Sequence, residues 1–85
     1  MNDTKQKVMD IAMNLSRIGN WVADDFEKNQ KKINIFITNT DGYISNITDV
    51  PNEFYKTWQF FIQKYPDLKF DLKNNAENFM TWGNI

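Results

Sequence analysis

The densest group of side chains that could perform metal or acid–base chemistry is acidic and comprises Asp24, Asp25 and Glu27. Carboxylates do such chemistry when they converge on one point, as ligands of a divalent cation or as a general acid and base. On a helix, however, Asp24 and Asp25 project about 100° apart and point away from each other. We therefore interpret the group as a complement to the helix dipole, with acid-first pairs to Lys28 and Lys31.

The chain contains no histidine and no cysteine, which removes the imidazole and thiolate groups that act as bases, nucleophiles and metal ligands. The serines and threonines therefore lack an imidazole partner, and no nucleophile-elbow motif surrounds any of them. Gly19, Gly42 and Gly83 are isolated, so the sequence has no phosphate-binding loop. We expect a protein that is not an enzyme, with no catalytic residue, no metal and no cofactor.

An aromatic-rich stretch at residues 54–61 has a second chemical interpretation, because single-strand nucleic-acid binders stack bases on aromatic side chains. Most of these aromatics fall on one helical stripe, which favours core packing instead. The net charge is −1 and Arg17 is the only arginine. Binding to phosphates requires clustered lysine and arginine, so we expect neither a nucleic-acid partner nor a membrane partner.

The length of 85 residues leaves room for one domain, expected to span residues 1–85. No apolar run approaches the roughly 18 residues of a membrane-spanning helix, and no secretory signal follows the first residues. Together with the lack of cysteine, these features predict a cytoplasmic location.

Apolar residues recur at steps of three and four from Val8 to Ile18, which predicts a helix that begins near Asp3. Gly19 suits the position after a helix C-terminus, and Asn20 can cap a second helix. The alternative is one bent helix from Asp3 onward, in which Gly19 is only a kink.

The stretch 33–50 admits two interpretations. Less apolar residues separate three isoleucines, Ile33, Ile35 and Ile37. With the turn signal Asp41-Gly42, this alternation is typical of a β-hairpin. Phe36 breaks the alternation, and the apolar stripe keeps helical phase for more than three turns, so we favour a helix. The predicted fold is an all-α bundle of three to four helices, and the alternative is an α+β fold with a hairpin at 33–50.

A further helix is expected from Pro51 or Asn52, with its apolar face formed by Phe54, Trp58, Phe61, Ile62 and Tyr65. Pro66 is expected to end this helix. The alternating residues Leu68, Phe70 and Leu72 then predict a short extended linker that lies on the core. A last helix is expected from about Lys73 to the end of the chain.

Two stretches, residues 7–24 and residues 80–85, resemble a group of short uncharacterised proteins of cyanobacteria. They read KVMDIAMNLSRIGNWVAD and MTWGNI in this chain. The proteins of that group are helical and have no assigned biochemical role. The resemblance implies a helical architecture and a cytoplasmic cyanobacterial setting, and it contributes no catalytic motif.

Four large apolar side chains lie off the predicted core stripes: Ile35, Phe60, Trp82 and Ile85. A set of exposed apolar residues on a small domain indicates an interface, although a compact bundle can also bury more than one face of each helix. We expect these four residues to form a protein interface in a non-enzymatic interaction module. Its partner would be another protein or a second copy of the chain, which would make it a homo-oligomer.

The alternative hypothesis is a helical protein that binds an apolar or aromatic small molecule. Ligand sites occur between the helices of bundles. The side chains expected around such a ligand are Trp21, Trp58 and Phe61.

Overall fold

The computed structural model describes residues 3–47 and 50–83. Within these ranges the chain is helical and contains no strand, which confirms the predicted all-α bundle. The helices are α1 (Asp3–Ser45), α2 (Asn52–Phe70) and α3 (Ala76–Gly83), with a 3₁₀ turn at Leu72–Asn74. None of the described helices has both the length and the apolar character that crossing a membrane requires.

Helix α1 is not a straight rod, because it folds back on itself at Asp25. A straight helix of 43 residues would be about 64 Å long, whereas the longest dimension of the molecule is 38 Å. Asp25 has an extended backbone, with φ −158° and ψ 95°. The two arms that it separates, residues 3–24 and 26–45, lie antiparallel. Asn14 of the first arm donates a hydrogen bond of 3.3 Å to the hydroxyl of Thr40 in the second.

Asp25 begins the second arm as its N-cap. Its carboxylate accepts a hydrogen bond of 3.1 Å from the backbone N–H of Lys28, one of the unpaired donors at a helix start. Asn29 reaches back and donates to the carbonyl of Trp21 at 3.2 Å, which satisfies an acceptor near the end of the first arm. Asp25, a member of the acidic group, therefore lies at the turn of the chain and caps the second arm. Neither predicted pair of an acidic residue with Lys28 or Lys31 forms within the described residues.

Gly19 lies inside the first arm, so the predicted helix terminus there and the cap after it are wrong. Its φ is not positive. Helix α3 crosses the arm at this point, and a Cβ on Gly19 would lie 2.6 Å from Cγ of Met80 and 2.9 Å from the carbonyl oxygen of Ala76. A Cβ on Gly83 would likewise collide with Ser16. Close approach between helices therefore requires both glycines.

The core lies where the two arms of α1 meet α2 and α3. Its buried apolar side chains are Ile11, Leu15, Ile18, Val22, Ile33, Trp58, Phe61, Tyr65, Leu68 and Phe79. The stripes predicted for the first helix and for α2 supply most of this set. Thr40 is a buried polar exception, and its hydroxyl donates to the carbonyl of Phe36 at 2.7 Å as well as accepting from Asn14. Such a side chain is tolerated in a core because its hydrogen bonds are made.

The β-hairpin alternative for 33–50 is wrong, because residues 33–45 are helical. The turn signal Asp41-Gly42 lies within the last turns of α1. There the carboxylate of Asp41 accepts hydrogen bonds from the hydroxyl of Tyr65 at 2.8 Å and from Nζ of Lys69 at 3.2 Å. Asp41 thus ties the second arm of α1 to α2.

Two expectations for the C-terminal half are also wrong. Helix α2 continues through Pro66 to Phe70, so residues 67–70 are helical and do not form an extended linker. The burial of Leu68 and the bond from Lys69 to α1 hold the helix beyond the proline, whereas Phe70 is 92% exposed. The last helix begins at Ala76, after the 3₁₀ turn.

Candidate functional site

An aromatic pair joins α2 to α3 at the molecular surface. The ring centroids of Phe60 and Trp82 are 5.7 Å apart, and Trp82 also packs on the buried Phe61 at 5.2 Å. Nζ of Lys64 lies 5.6 Å from the centroid of the Phe60 ring, in a cation–π arrangement. Phe60 is nevertheless 53% exposed. Its ring therefore contacts Trp82 and Lys64 and still faces solvent.

The positions of both rings follow from the helices that carry them. Phe60 lies about 100° of helical rotation from Phe61, which places it at the side of α2 and not on its buried stripe. Trp82 is adjacent to Gly83, which lets α3 approach Ser16 of α1 closely. That close crossing brings the indole against α2.

The aromatic pair lies in a shallow groove that runs across α1, α2 and α3. Three adjoining depressions form it: one between α2 and α3, one beneath Trp82, and one between α1 and the start of α2. The first two share Thr57 and Trp82, and the last two share Val8 and Phe54. We term this continuous surface the Phe60 groove, and its principal residues are Val8, Met9, Glu53, Phe54, Thr57, Phe60, Lys64 and Trp82.

Two of the four predicted interface residues, Phe60 and Trp82, meet in this groove. Trp82 is half-buried there, because one side of its indole packs against the core. Ile35 is exposed but lies on the second arm of α1 and does not line the groove. Ile85 lies outside the described residues. The structure thus brings together one pair of the predicted set.

Sequence reasoning did not place Met9 in the site. This side chain is half-exposed and lines the groove where α1 faces the start of α2. Its spacing of four from Met13, another exposed methionine, puts both at the edge of the first core stripe. That spacing could have identified Met9 from the sequence as a residue at the edge of the core. The proximity of Met9 to α2, however, follows only from the tertiary fold.

The acidic group of the sequence is engaged in the turn of α1. Asp25 caps the second arm, and Asp24 accepts a weak hydrogen bond of 3.5 Å from Asn29. Across the described residues, no three acidic side chains lie close enough together to hold a metal ion.

The space beside Trp58 and Phe61, two of the three residues predicted to surround a ligand, offers little room for one. The cavity bounded by Trp58, Phe61 and Trp82 has a volume of about 30 Å³, which is room for about two water molecules. Trp21, expected at the same ligand site, instead packs edge-on against Phe36 with ring centroids 4.9 Å apart. Neither observation favours a small molecule at the three predicted residues.

A polar cluster of Asp41, Tyr65 and Lys69 joins α1 to α2. Burial raises the pKa of the Tyr65 hydroxyl far above its usual value, and the hydrogen bond to Asp41 and the negative charge of Asp41 act in the same direction. Nζ of Lys69 lies 4.7 Å from the centroid of the Tyr65 ring. The hydroxyl stays protonated and donates to Asp41, so the cluster joins the two helices.

Comparison with protein families, with curated proteins and with solved structures found no match to this chain. The resemblance to the cyanobacterial proteins therefore stays a prediction.

Proposed function

We propose that this protein is a non-enzymatic interaction module that binds a protein, either another chain or a second copy of itself, through the Phe60 groove. The Phe60–Trp82 pair is the observation that carries the proposal. The Phe60 ring is half-exposed and packs on Trp82, and Trp82 in turn packs on the buried Phe61.

The composition of the groove supports this proposal. Aromatic residues and methionine are enriched in protein interfaces, and tryptophan is enriched among the residues that dominate binding energy. Here Met9 lies at one end of the groove, Trp82 at its centre and Lys64 at the other end. A partner would bury apolar surface at the centre and meet charged side chains at the rim.

The packing of Phe60 favours binding in a second way. Immobilising a free side chain at an interface costs about 0.5–1.5 kcal/mol. Trp82 and Lys64 already contact the Phe60 ring on the free surface. Part of this ordering cost is therefore met before a partner arrives.

The sequence supports the non-enzymatic part of the proposal and the expected cytoplasmic location. The chain has neither histidine nor cysteine. Two members of its acidic group, Asp24 and Asp25, make hydrogen bonds in the turn of α1. A chain without cysteine is compatible with a reducing compartment, and we propose the cytoplasm as its location.

A pull-down from the native host, analysed by mass spectrometry, tests this function. The baits are the wild-type chain, Phe60→Asp and a matched control, Phe70→Asp, which adds the same charge at a 92% exposed position outside the groove. We expect the wild type and Phe70→Asp to enrich the same protein. That protein is either another chain of the host or the host's own untagged copy of this chain. Phe60→Asp should lose that protein by about ten-fold or more, because a charge would be buried at the centre of the interface.

Circular dichroism of the three baits shows whether all of them are folded. If folded Phe60→Asp enriches the same protein as strongly as the wild type does, the groove is not the binding surface.

A further inference from the structure

We propose that a second copy of this chain occupies the Phe60 groove, with its own α2 packed antiparallel against α2 about a twofold axis. This inference rests on the proposed function and names its partner.

One line of side chains on α2 has the spacing by which helices pair. Glu53, Thr57, Phe60 and Lys64 follow one another at steps of four, three and four residues, as do the contact positions of a coiled coil. All four line the Phe60 groove, and none belongs to the buried stripe of α2. Helix α2 therefore has a second line of side chains beside its core face, with the spacing of a helix–helix contact.

The charges on this line complement each other in the antiparallel orientation. Glu53 and Lys64 are the first and last of these four positions and stand about 16 Å apart along the helix, and the exposed Asp67 follows Lys64 by one further step of three in the same depression. When two copies align antiparallel, Glu53 of each copy faces Lys64 of the other, and Thr57 of each faces Phe60 of the other. The twofold axis repeats both contacts, as an interface between identical surfaces requires.

The parallel orientation is disfavoured by the same charges. It would place Glu53 beside Glu53 and Lys64 beside Lys64, and like charges at an interface cost free energy. Neither side chain forms an ion pair inside one copy, within the part of the chain that the structure describes. Both are exposed and available to a second copy.

The groove has room for the side chains of a second helix. The depression between α2 and α3 has a volume of about 550 Å³, against about 30 Å³ for the depression beneath Trp82. Phe60 lies in the larger depression, where Trp82 forms part of its wall. A second helix would cover the exposed face of the Phe60 ring, which accounts for an aromatic side chain at this position.

Sedimentation velocity over a range of protein concentrations tests the proposal. We expect the wild type and Phe70→Asp to form dimers, and Phe60→Asp to be monomeric. Glu53→Lys and Lys64→Glu should each weaken the dimer by about ten-fold or more, because each puts like charges together twice. The double exchange, Glu53→Lys with Lys64→Glu, should recover most of the lost affinity, because it restores both charge pairs although not the contact of Lys64 with the Phe60 ring.

The double exchange separates this interface from simple loss of helix stability. Glu53 is in the first turn of α2, where a carboxylate also stabilises the helix dipole. Loss of that effect would persist in the double exchange, so only paired charges across an interface predict recovery.

A wild type that stays monomeric at millimolar concentration overturns the second-copy proposal, as does a double exchange that fails to recover. If the wild type is monomeric while a pull-down still captures another protein that depends on Phe60, the partner is a different chain. In that case the proposed function stands. If the wild type neither dimerises nor captures a protein that depends on Phe60, both proposals are wrong.

Discussion

Two glycines in α1 illustrate how much one residue depends on its tertiary surroundings. Gly19 lies against α3, and a Cβ there would meet a side chain and the backbone of that helix within 3.0 Å. We expect Gly19→Ala to lower the free energy of unfolding by about 1–3 kcal/mol, because α3 has to move to admit the methyl group. Urea denaturation followed by circular dichroism measures the change.

Gly42→Ala is the matched control for that substitution. Gly42 is exposed in the last turns of the same helix, and a Cβ there would meet nothing within 4 Å. The alanine should raise the free energy of unfolding by about 0.4–1 kcal/mol, because it restricts the unfolded chain. Equal effects of the two substitutions would contradict the close crossing of α1 and α3.

Tyr65 makes the stability of the protein depend on pH in the alkaline range. The pKa of its hydroxyl is raised in the folded state, first by burial and then by Asp41. Its contribution to stability is therefore complete below the pKa of an unfolded tyrosine, about 10, and is lost as the pH rises above that value. The free energy of unfolding should fall more steeply above about pH 10 in the wild type than in Tyr65→Phe.

Urea denaturation of both proteins on either side of this pH measures the two slopes. At neutral pH, Tyr65→Phe should cost about 1 kcal/mol, the usual net value of one hydrogen bond. Parallel pH profiles would show that the hydroxyl titrates normally and is not held by Asp41.

At the scale of the elements, α1 is a helical hairpin whose turn depends on Asp25. The cap bond to the N–H of Lys28 starts the second arm. We expect Asp25→Ala to lower the free energy of unfolding by about 1 kcal/mol, the typical cost of a lost N-cap. Glu27→Ala is the control, because Glu27 is exposed in the same acidic group and makes no cap bond. Denaturation curves that coincide for the two variants would contradict the assigned cap.

The sequence predicts the helical elements better than it predicts their ends. Apolar spacing identifies the buried stripes, because a helix repeats its faces every three or four residues whatever it packs against. The local sequence predicts a helix end at Gly19, whereas the role of Gly19 is the contact with α3, which depends on residues far along the chain. The local sequence also predicts that Pro66 ends α2, but tertiary packing of Leu68 outweighs the local cost of the proline.

The sequence signal for the turn between the two arms of α1 is Asp25, and this signal has two interpretations. An aspartate is a favoured N-cap and is also favoured in the first turn of a helix, so Asp25 fits either role. The tertiary structure shows that the chain reverses there, through the extended backbone of Asp25 and the antiparallel contact between Asn14 and Thr40. Local propensity could not choose between these interpretations.

At the scale of the whole molecule, the Phe60 groove exists only because three helices meet. Helical phase identified Phe60 and Trp82 as off-stripe residues, but phase gives no information on which off-stripe residues come together. The crossing of α3 over α1 brings Trp82 to α2, whereas Ile35 lies on the second arm, away from the groove. The sequence thus predicts which residues belong to the candidate site, but it does not predict that they come together on one surface.

Photo-crosslinking in living cells shows whether the Phe60 groove is a protein-binding surface. A photoreactive phenylalanine analogue replaces Phe60 in one version of the chain and Phe70 in the other, so that only the position differs. The account predicts a discrete protein adduct from position 60, with the chain itself or another protein, and no such adduct from position 70. Equal adducts from both positions, or none from position 60, would contradict it.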